Sequence, residues 1–593
     1  MTAFALIGCG PRGMNVLERF VFHAHRDPHR RPVVLHVVDP GPAGPGIHAA
    51  SPDHHLLNTI ASQLTTFVDE EMIESGGVRG PSLYEWALRR GVRVTSNTGE
   101  VRAVRPADHL PRRLLGEYLA WAFGRLLEVC PPWLEIRPHA GAATAVHPLP
   151  DGREQVAIEG GTTVDVDAVL LCVGHTGTPA PPAPDPAAPD FAWVGNPYPA
   201  GALARIGATD VVGVLGGGLT AMDVIAELTV GRGGRYARSG DGLRYLPGGT
   251  EPKIVLVTRT GLPSRARPRP YRSGQIAPRH LTATALREIR AGKTDGRLDF
   301  RQDVLPLVRA EMRHRIGSMV PDPRDARRVT RRVLAAWDGA VPVEALRCAD
   351  SYHEWFVRQV ERDLAEAHLG LDGSPLKAAF EVHRDLRQVL RRAVDGRGMD
   401  RESRAEFFGT FAAAVNRNVI GPQLERNEEL VALVRAGLLS PGFGPASRLT
   451  WSDGRWLLES TTLAEPGSAV LDRVVCGYFP PPSISASANP VLRRLHAAGR
   501  VRPVVCGGTE LGAEVDGDGY AVDVRGTVQP TLAVLGPLAE GSSYYNHYVT
   551  SPGARSRATA DADRVVRAAL AGSDRRADAP ESRTKPAGGG TND

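Results

Sequence analysis

Three glycines near the start of the chain have the spacing of a phosphate-binding turn. Gly8, Gly10 and Gly13 follow a short apolar run and precede apolar residues that recur at helical spacing. In a strand–turn–helix unit, the first glycine permits the turn, the second admits a pyrophosphate, and the third lets the helix pack against the strand. Free amides at the helix start bind the phosphates. The pattern predicts a dinucleotide site that includes Pro11 and Arg12; a purely structural turn is the alternative.

An acidic residue follows the next predicted strand. This strand covers residues 32–38, and Asp39 comes directly after it. A carboxylate at this position suits the 2′-hydroxyl of an adenosine ribose. Asp39 lies further from the glycines than the usual ~20 residues, which the polar loop 23–31 explains.

The same pattern recurs later in the chain. An apolar run enters the three glycines 216–218 in a G-x-G-x-x-A turn, and a second strand there ends in Arg259. Arginine suits a ribose 2′-phosphate, whereas an acidic residue suits the free hydroxyl. One acidic and one basic unit predict FAD in the first and NADPH in the second; two structural units with one vestigial site are the alternative. The predicted NADPH residues are Gly216, Gly218, Leu219, Thr220 and Arg259.

Further polar residues lie close to the two turns. Asn58, Thr59 and Gln63 come just past the first unit, where they could line the reactive end of the cofactor; an ordinary capped loop is the alternative. His48 and His175 are candidates for tuning a flavin or moving protons. Histidines satisfied within a loop are the alternative for both.

Composition narrows the class of protein. The 593 residues suit two or three domains, and a net charge of +5 without a basic stripe argues against nucleic acid. No apolar run approaches the ~18 residues that span a membrane, and no signal-type segment precedes the first turn, so we expect a cytoplasmic protein. Six scattered cysteines form no C-x-x-C pair, which argues against a metal site and a redox-active disulfide.

The order of elements predicts an α/β fold with two Rossmann-like dinucleotide-binding domains and a large α-helical insertion. Strands beginning at Asp167 and Asp472 echo one another, so a matching strand closes each unit. The predicted divisions are 1–195 and 481–571 for the FAD-binding domain, 196–262 and 446–480 for the NADPH-binding domain, 263–445 for the helical insertion, and 572–593 for a disordered tail.

The insertion is predicted to be helical because apolar residues recur at helical spacing in seven of its segments. It opens with arginines among prolines, of which Arg265, Arg269 and Arg272 are candidates to bind an anionic substrate. A solvated loop is the alternative. The seven predicted helices cover 281–289, 304–316, 325–337, 352–368, 376–394, 402–415 and 427–436.

Two dinucleotide units in this order resemble the flavoproteins that include the class B monooxygenases and the disulfide reductases. The reductases need a cysteine pair that is missing here, and segment 191–198 lacks the histidine of the Baeyer–Villiger fingerprint. The helix beginning Pro111-Arg112-Arg113 and the strand ending Gly174-His175 are similar to segments of N-hydroxylating monooxygenases. In that strand, Cys172-Val173 replaces the family's Ala-Thr.

A closer resemblance spans nearly the whole chain. The turn Gly10-Pro11-Arg12-Gly13, segment 57–63, segment 218–234 and segment 421–426 are shared with a group of actinobacterial FAD/NAD(P)-binding proteins that includes nitrosuccinate synthases. The motif Gly536-Pro537-Leu538 is shared too, and it is a further predicted part of the FAD site. This resemblance implies a class B-like fold and an FAD- and NADPH-dependent monooxygenase.

The implied chemistry is oxidation of the amine of a small amino acid by O2, with L-aspartate and its product nitrosuccinate as the main expectation. The family's route passes through a flavin C4a-hydroperoxide, and the cofactor carries the difficult chemistry. We expect neither a nucleic-acid nor a membrane partner, and a homo-oligomer is possible. The alternatives are an NADPH-dependent flavin oxidoreductase or monooxygenase acting on another small metabolite and a non-catalytic flavin-binding protein.

Overall fold

The computed structural model describes residues 2–41, 48, 50–199, 201–240, 242–269 and 276–577, without the side chains of 397 and 573–577. Two parallel sheets organise this part of the chain. The central strands Thr2–Ile7, Ala168–Leu171 and Val211–Leu215 are almost continuously apolar because helices or smaller sheets cover both faces. The fold is therefore α/β, as the sequence predicted, with one Rossmann-like sheet behind each glycine turn.

The first sheet has six strands, and only its edge strand, Tyr520–Val522, runs antiparallel to its neighbour. The order across the sheet is Tyr520–Val522, Val528–Val534, Ala168–Leu171, Thr2–Ile7, Val33–Asp39 and Leu134–Ala140. One face packs against the helices Pro11–Arg26, Arg112–Glu128 and Arg557–Ala577. The other face packs against the small sheet Ala143–Pro148, Glu154–Ile158 and Thr163–Val166 and the helix Pro490–Ala497.

The second sheet has five parallel strands. Their order is Trp193–Val194, Arg473–Cys476, Val211–Leu215, Lys253–Val257 and Leu439–Pro441. The helices Leu219–Leu228, Ala349–His368 and Leu424–Arg435 contribute to the core on one face. The antiparallel sheet Arg448–Ser452, Arg455–Glu459 and Ser468–Leu471 covers the other.

The predicted echo between the two closing strands is visible in atomic detail. The Asp167 carboxylate accepts a hydrogen bond from the backbone N–H of Ala3 at 2.9 Å, and the Asp472 carboxylate accepts one from Val211 at 2.8 Å. Each aspartate thereby fixes the register of its closing strand against the strand that enters a glycine turn. The two units are built on one plan.

The insertion is helical, as predicted. Its helices are Ala283–Ala291, Leu305–Met319, Pro323–Asp338, Ala349–His368, Gly370–Gly373, Pro375–Asp385, Arg387–Val394, Arg401–Glu406, Ala412–Asn418 and Leu424–Arg435. The single helix predicted over 376–394 is two helices that meet at Leu386. The helix predicted over 402–415 contains a π-helical turn, Phe407–Phe411, whose aromatic rings pack into the core of the insertion.

The glycine- and arginine-rich segment 231–249 contains a hairpin that the sequence analysis did not predict. Its strands are Arg235–Ser239 and Gly242–Leu246. Other short elements are the helix Leu83–Arg89 and the strand pairs Arg93–Thr95 with Val101–Ala103 and Pro503–Cys506 with Thr509–Ala513.

The C-terminal helix extends into the segment that was predicted as a tail. It runs from Arg557 to Ala577, past position 572, where disorder was expected to begin. Its first half packs on the first sheet through Ala562, Val565 and Val566. No helix in the described ranges is long and apolar enough to cross a membrane.

Candidate active site

The first glycine turn is tightly packed at two of its glycines and open at the third. Gly8 has φ +90°, and a Cβ there would lie 2.6 Å from the carbonyl oxygen of Cys172. A Cβ on Gly13 would collide with the carbonyl oxygen of Gly8. By contrast, no heavy atom of the described residues lies within 4 Å of the Cβ position of Gly10. This open cradle is where a pyrophosphate would approach the backbone.

The helix that leaves this turn begins without a side-chain cap. Pro11 is its first residue, and Gly10 precedes it in an extended conformation that contributes no capping side chain. The first N–H groups of the helix therefore remain available to a ligand, and the positive end of the helix dipole favours an anion there. The first turn fits a dinucleotide phosphate.

Asp39 braces the same turn. Its carboxylate accepts hydrogen bonds from the backbone N–H groups of Cys9 at 2.7 Å and Gly41 at 2.9 Å. It lies at the carboxyl end of its strand, where a ribose is expected in this fold. Its predicted contact with a ribose hydroxyl stays a prediction.

Arg12 joins the first turn to the C-terminal segment. Its guanidinium donates to the carbonyl oxygen of Asn546 at 3.0 Å and lies 5.4 Å from the ring centroid of Tyr548, while its buried Nε has no partner in the described structure. Gly536 packs on its side chain, since a Cβ there would lie 3.2 Å from Arg12 Cγ.

The motif residues Gly536, Pro537 and Leu538 open the short 3-10 turn Gly536–Ala539 beside Arg12. The fold thus brings two motifs from opposite ends of the chain together.

Segment 54–63 is held in place by the insertion. Asn58 donates through Nδ2 to the carbonyl oxygen of Ile420 at 3.0 Å, and its Oδ1 is buried without a partner. Gln423 donates to the carbonyl oxygen of Leu57 at 3.0 Å, and Arg267 donates to that of Asn58. An oriented acceptor that lacks a donor suits an N–H group of a ligand.

The two other polar candidates of this segment, Thr59 and Gln63, are half-buried. The backbone carbonyl of Gln63 accepts a hydrogen bond from the Ser551 hydroxyl at 2.8 Å. That bond places the end of the segment beside the C-terminal part of the chain.

The second glycine turn repeats the geometry of the first. Gly216 has φ +110°, and a Cβ there would lie 2.7 Å from the carbonyl oxygen of Gly477. The Cβ position of Gly218 is open, and the helix Leu219–Leu228 follows it without a side-chain cap. This turn fits a second dinucleotide phosphate by the same argument.

Two residues that were predicted to bind NADPH differ in their contacts with the rest of the protein. Thr220 lies in the first turn of that helix, and its hydroxyl accepts a hydrogen bond from the Tyr198 hydroxyl at 3.3 Å. Arg259 follows the strand Lys253–Val257, and its exposed side chain forms no ion pair with any described residue. A free guanidinium at this strand end is available to a ligand phosphate.

The two candidate histidines lie in different surroundings. The ring of His175 stacks on that of His547 at 5.2 Å between centroids. Although much of the His175 side chain is exposed, its pKa is lowered to about 4. Desolvation of the ring is the main cause, and the charge of neighbouring His547 lowers the pKa further. Burial, aided by the charge of Arg112, lowers the pKa of His48 to about 4. Both imidazoles are therefore neutral at pH 7.

The three arginines that were predicted to bind the substrate differ in what the structure shows of their contacts. Arg265 forms an ion pair at 2.9 Å with Asp363, which is buried, and Arg269 pairs with Glu425. Arg272 lies outside the described residues. Because protein carboxylates already engage Arg265 and Arg269, these contacts do not favour either of them for a substrate carboxylate.

A polar contact between the two units was missed by the sequence analysis. Arg112, on a helix of the first unit, forms an ion pair at 2.6 Å with Asp223, on the helix of the second glycine turn. The Tyr198 hydroxyl donates to the same carboxylate at 2.9 Å. The only signal in the sequence is an acidic residue at a helix position that faces the core, where unpaired charge is rare.

Two open glycine turns at the ends of two parallel sheets define a protein that binds two dinucleotides. A family model described as FAD-NAD(P)-binding matches residues 5–176. Nitrosuccinic acid synthase of Aspergillus oryzae is 30% identical over 95% of this chain and 92% of its own length. An L-aspartate N-monooxygenase (nitrosuccinate-forming) of Streptomyces cremeus is 29% identical over 95% and 94%. The chain belongs to the nitrosuccinate synthase family.

Among solved structures, the ornithine N-hydroxylase of Kutzneria sp. 744 aligns with a TM-score of 0.47 and 13% identity. The alignment covers 96% of this chain and 99% of that chain.

Proposed function

We propose that the protein is an FAD- and NADPH-dependent monooxygenase that oxidises the amine of L-aspartate to nitrosuccinate with O2. The observation that carries the proposal is the pair of open glycine turns of matching geometry, in a chain that is related over 95% of its length to enzymes named for this reaction. The first turn holds FAD and the second holds NADPH.

The residues that would hold the cofactors have distinct tasks. The helix amides after Gly10 bind the FAD pyrophosphate, and Asp39 accepts from the ribose. The amides after Gly218 bind NADPH, whose 2′-phosphate pairs with Arg259. When bound, the flavin supplies hydride acceptance and oxygen activation, while NADPH supplies the hydride.

The protein itself orients the substrate and excludes water. Gln423 and Arg267 fix segment 54–63 against the insertion, and the buried Asn58 Oδ1 is left as an acceptor without a donor. The amine must be neutral to act as a nucleophile, and a poorly hydrated pocket disfavours the ammonium form. We propose that neutral His175, beside His547, takes part in moving a proton.

The direct test is NADPH consumption by the FAD-loaded enzyme in air, with product analysis by mass spectrometry. We expect L-aspartate to accelerate NADPH oxidation and to yield nitrosuccinate. Hydrogen peroxide formation that is indifferent to added amino acids would instead indicate an oxidase, and no NADPH oxidation would indicate a binding protein. A panel of amino acids that yields no N-oxidised product would overturn the proposal.

A further inference from the structure

The aromatic segment 544–548 lies between the first glycine turn and the helical insertion. It follows the 3-10 turn Gly536–Ala539, and the Glu540 carboxylate accepts hydrogen bonds from the backbone N–H groups of Tyr545 at 3.0 Å and Asn546 at 2.9 Å. Tyr545 has φ +64°, a conformation that costs energy in a residue with a bulky side chain. The hydrogen bonds to Glu540 therefore hold the Tyr545 backbone in this conformation.

The Tyr545 side chain contacts an arginine of the insertion, Arg387. The Tyr545 hydroxyl accepts a hydrogen bond from Arg387 Nη2 at 2.9 Å, and the guanidinium carbon lies 4.0 Å from the Tyr545 ring centroid. Arg387 is the first residue of the helix Arg387–Val394 and is half-buried. The stacked tyrosine fixes the plane of the guanidinium.

Arg387 differs from the neighbouring arginines because it contacts neither a carboxylate nor a backbone carbonyl oxygen of the described residues. Arg384 pairs with Glu381 at 3.0 Å, and Arg391 donates to the carbonyl oxygens of Tyr544 and Tyr545. Within the described part of the chain, Arg387 forms no ion pair, and its side chain donates a hydrogen bond to the phenol of Tyr545. A guanidinium presents five N–H donors in a planar fork, so most of these donors remain available to a ligand.

The electrostatics of this position favour an anion. Burial is the main cause that lowers the pKa of Arg387, and the charges of Arg384 and Arg391 lower it further. A cation removed from water and placed among like charges is stabilised most by an anionic partner. A carboxylate matches the planar fork in two parallel hydrogen bonds.

The location links this fork to the candidate active site. The same segment contacts the first glycine turn through Arg12, which donates to the Asn546 carbonyl oxygen, and His547 stacks on His175 at the end of the first sheet. A ligand bound to Arg387 would thus lie between the insertion and the edge of the sheet where ligands bind in this fold.

We infer that Arg387, oriented by Tyr545, binds a carboxylate of the amino acid substrate. Arg387 is a specificity-determining residue, and Tyr545 is a positioning residue that acts through it. This inference rests on the proposed function and adds the group that recognises the acidic substrate. It differs from the sequence prediction, which placed this role on Arg265, Arg269 and Arg272.

The test compares Arg387→Met and Arg387→Lys with the matched control Arg392→Met. Arg392 is an exposed residue of the same helix. Loss of a charge-assisted contact should raise the KM for L-aspartate about 10- to 100-fold in Arg387→Met. The lysine variant should recover only part of that loss, because an ammonium cannot form the two parallel bonds. Tyr545→Phe should raise KM by a smaller factor with little change in kcat.

Two further measurements separate the possible failures. Anaerobic reduction of bound FAD by NADPH should be unchanged in the Arg387 variants, since the inference concerns the amino acid alone. Binding of succinate to the oxidised holoenzyme, measured by calorimetry, should weaken by a similar factor in Arg387→Met and stay unchanged in Arg392→Met.

If the wild type turns over L-aspartate and Arg387→Met keeps its KM within about twofold, a change too small for a lost charged contact, the inference is wrong while the proposed function stands. If the wild type forms no N-oxidised product yet binds succinate through Arg387, the carboxylate site stands and the proposed function fails. An equal rise in the KM for L-aspartate in Arg387→Met and Arg392→Met would also overturn the inference.

Discussion

At the scale of single residues, the three glycines of the first turn make separable contributions. Gly8 and Gly13 are required by the protein's own packing, because a Cβ at either position would meet backbone atoms. Gly10 has an ordinary φ of −68° and open space, so only a ligand requires its missing side chain. Substitution can therefore distinguish the fold from the function of one short motif.

We predict that Gly10→Ala folds normally but binds FAD at least about tenfold more weakly, since the added methyl group occupies the approach of the pyrophosphate. Gly13→Ala should lower the Tm of the apoprotein, because its Cβ would overlap the Gly8 carbonyl. Tm of the apoproteins and FAD titration by fluorescence measure the two effects. A Gly10→Ala protein with undiminished FAD affinity would contradict the assignment of the first turn.

Arg259 carries the second prediction at this scale. Arg259→Ala should raise the KM for NADPH about 10- to 100-fold, the effect of losing a charged hydrogen bond, and leave the KM for NADH nearly unchanged. Arg235→Ala is the matched control, because Arg235 is also exposed and belongs to the hairpin of the same unit. Steady-state kinetics with both nucleotides check this. Equal effects on NADPH and NADH would rule out a 2′-phosphate contact.

At the scale of elements, a buried ionic cluster holds the start of the insertion. Lys377 Nζ donates to both oxygens of Asp363 at 2.8 Å and to the carbonyl oxygen of Ala266 at 2.7 Å, and Arg265 pairs with the same carboxylate. Asp363 also accepts from the backbone N–H of Ala266 at 2.7 Å. One carboxylate thus fixes the segment that leads from the second unit into the helices.

Asp363→Asn should destabilise the protein by about 3–5 kcal/mol, the cost of leaving buried charges without their partner. Burial already lowers the pKa of Lys377, so part of this loss should be recovered at high pH, where the lysine becomes neutral. Glu354→Gln is the control, because its exposed pair with Arg358 contributes less than about 1 kcal/mol. Urea unfolding followed by fluorescence measures the difference; similar losses in both variants would refute the role of the cluster.

Much of this element structure follows from local pattern. The central strands of both sheets are apolar runs, two of which enter glycine turns, and the insertion helices carry clear periodicity, so both were predictable. The hairpin from Arg235 to Leu246 was not, because its short strands are mainly polar and lie at the surface. Ion pairs such as Arg112 with Asp223 could not be predicted, since residues remote in sequence meet only in the folded chain.

In the candidate site, too, local patterns were predictable and long-range contacts were not. The glycine turns were recognised because their spacing reflects local backbone geometry, which a single sequence records. The arginines were assigned by composition, which cannot tell a guanidinium paired within the protein from one that lacks a carboxylate. Arg265 and Arg387 look alike in sequence, and only the contacts with Asp363 and Tyr545 separate them.

At the scale of the whole molecule, the two units must hold a fixed relation for hydride to pass between cofactors. Arg112 provides a direct link, since it pairs with Asp223 at 2.6 Å and lies 5.6 Å from the Tyr198 ring centroid. Asp223 is only 4% exposed, so its charge depends on these partners. His54 adds a second link through Glu227 on the same helix, at 2.5 Å.

Arg112→Met should therefore keep its FAD content but reduce bound FAD at least about tenfold more slowly with saturating NADPH, because misplacement of reacting groups by about 1 Å costs up to ~100-fold. The neighbouring Arg113→Met is the control, since Arg113 pairs with Asp53 and Glu117 at the surface of the same helix. Anaerobic stopped-flow absorbance of the bound flavin measures the rate. An Arg112→Met enzyme reduced as fast as Arg113→Met would show that this contact does not set the relation between the two units.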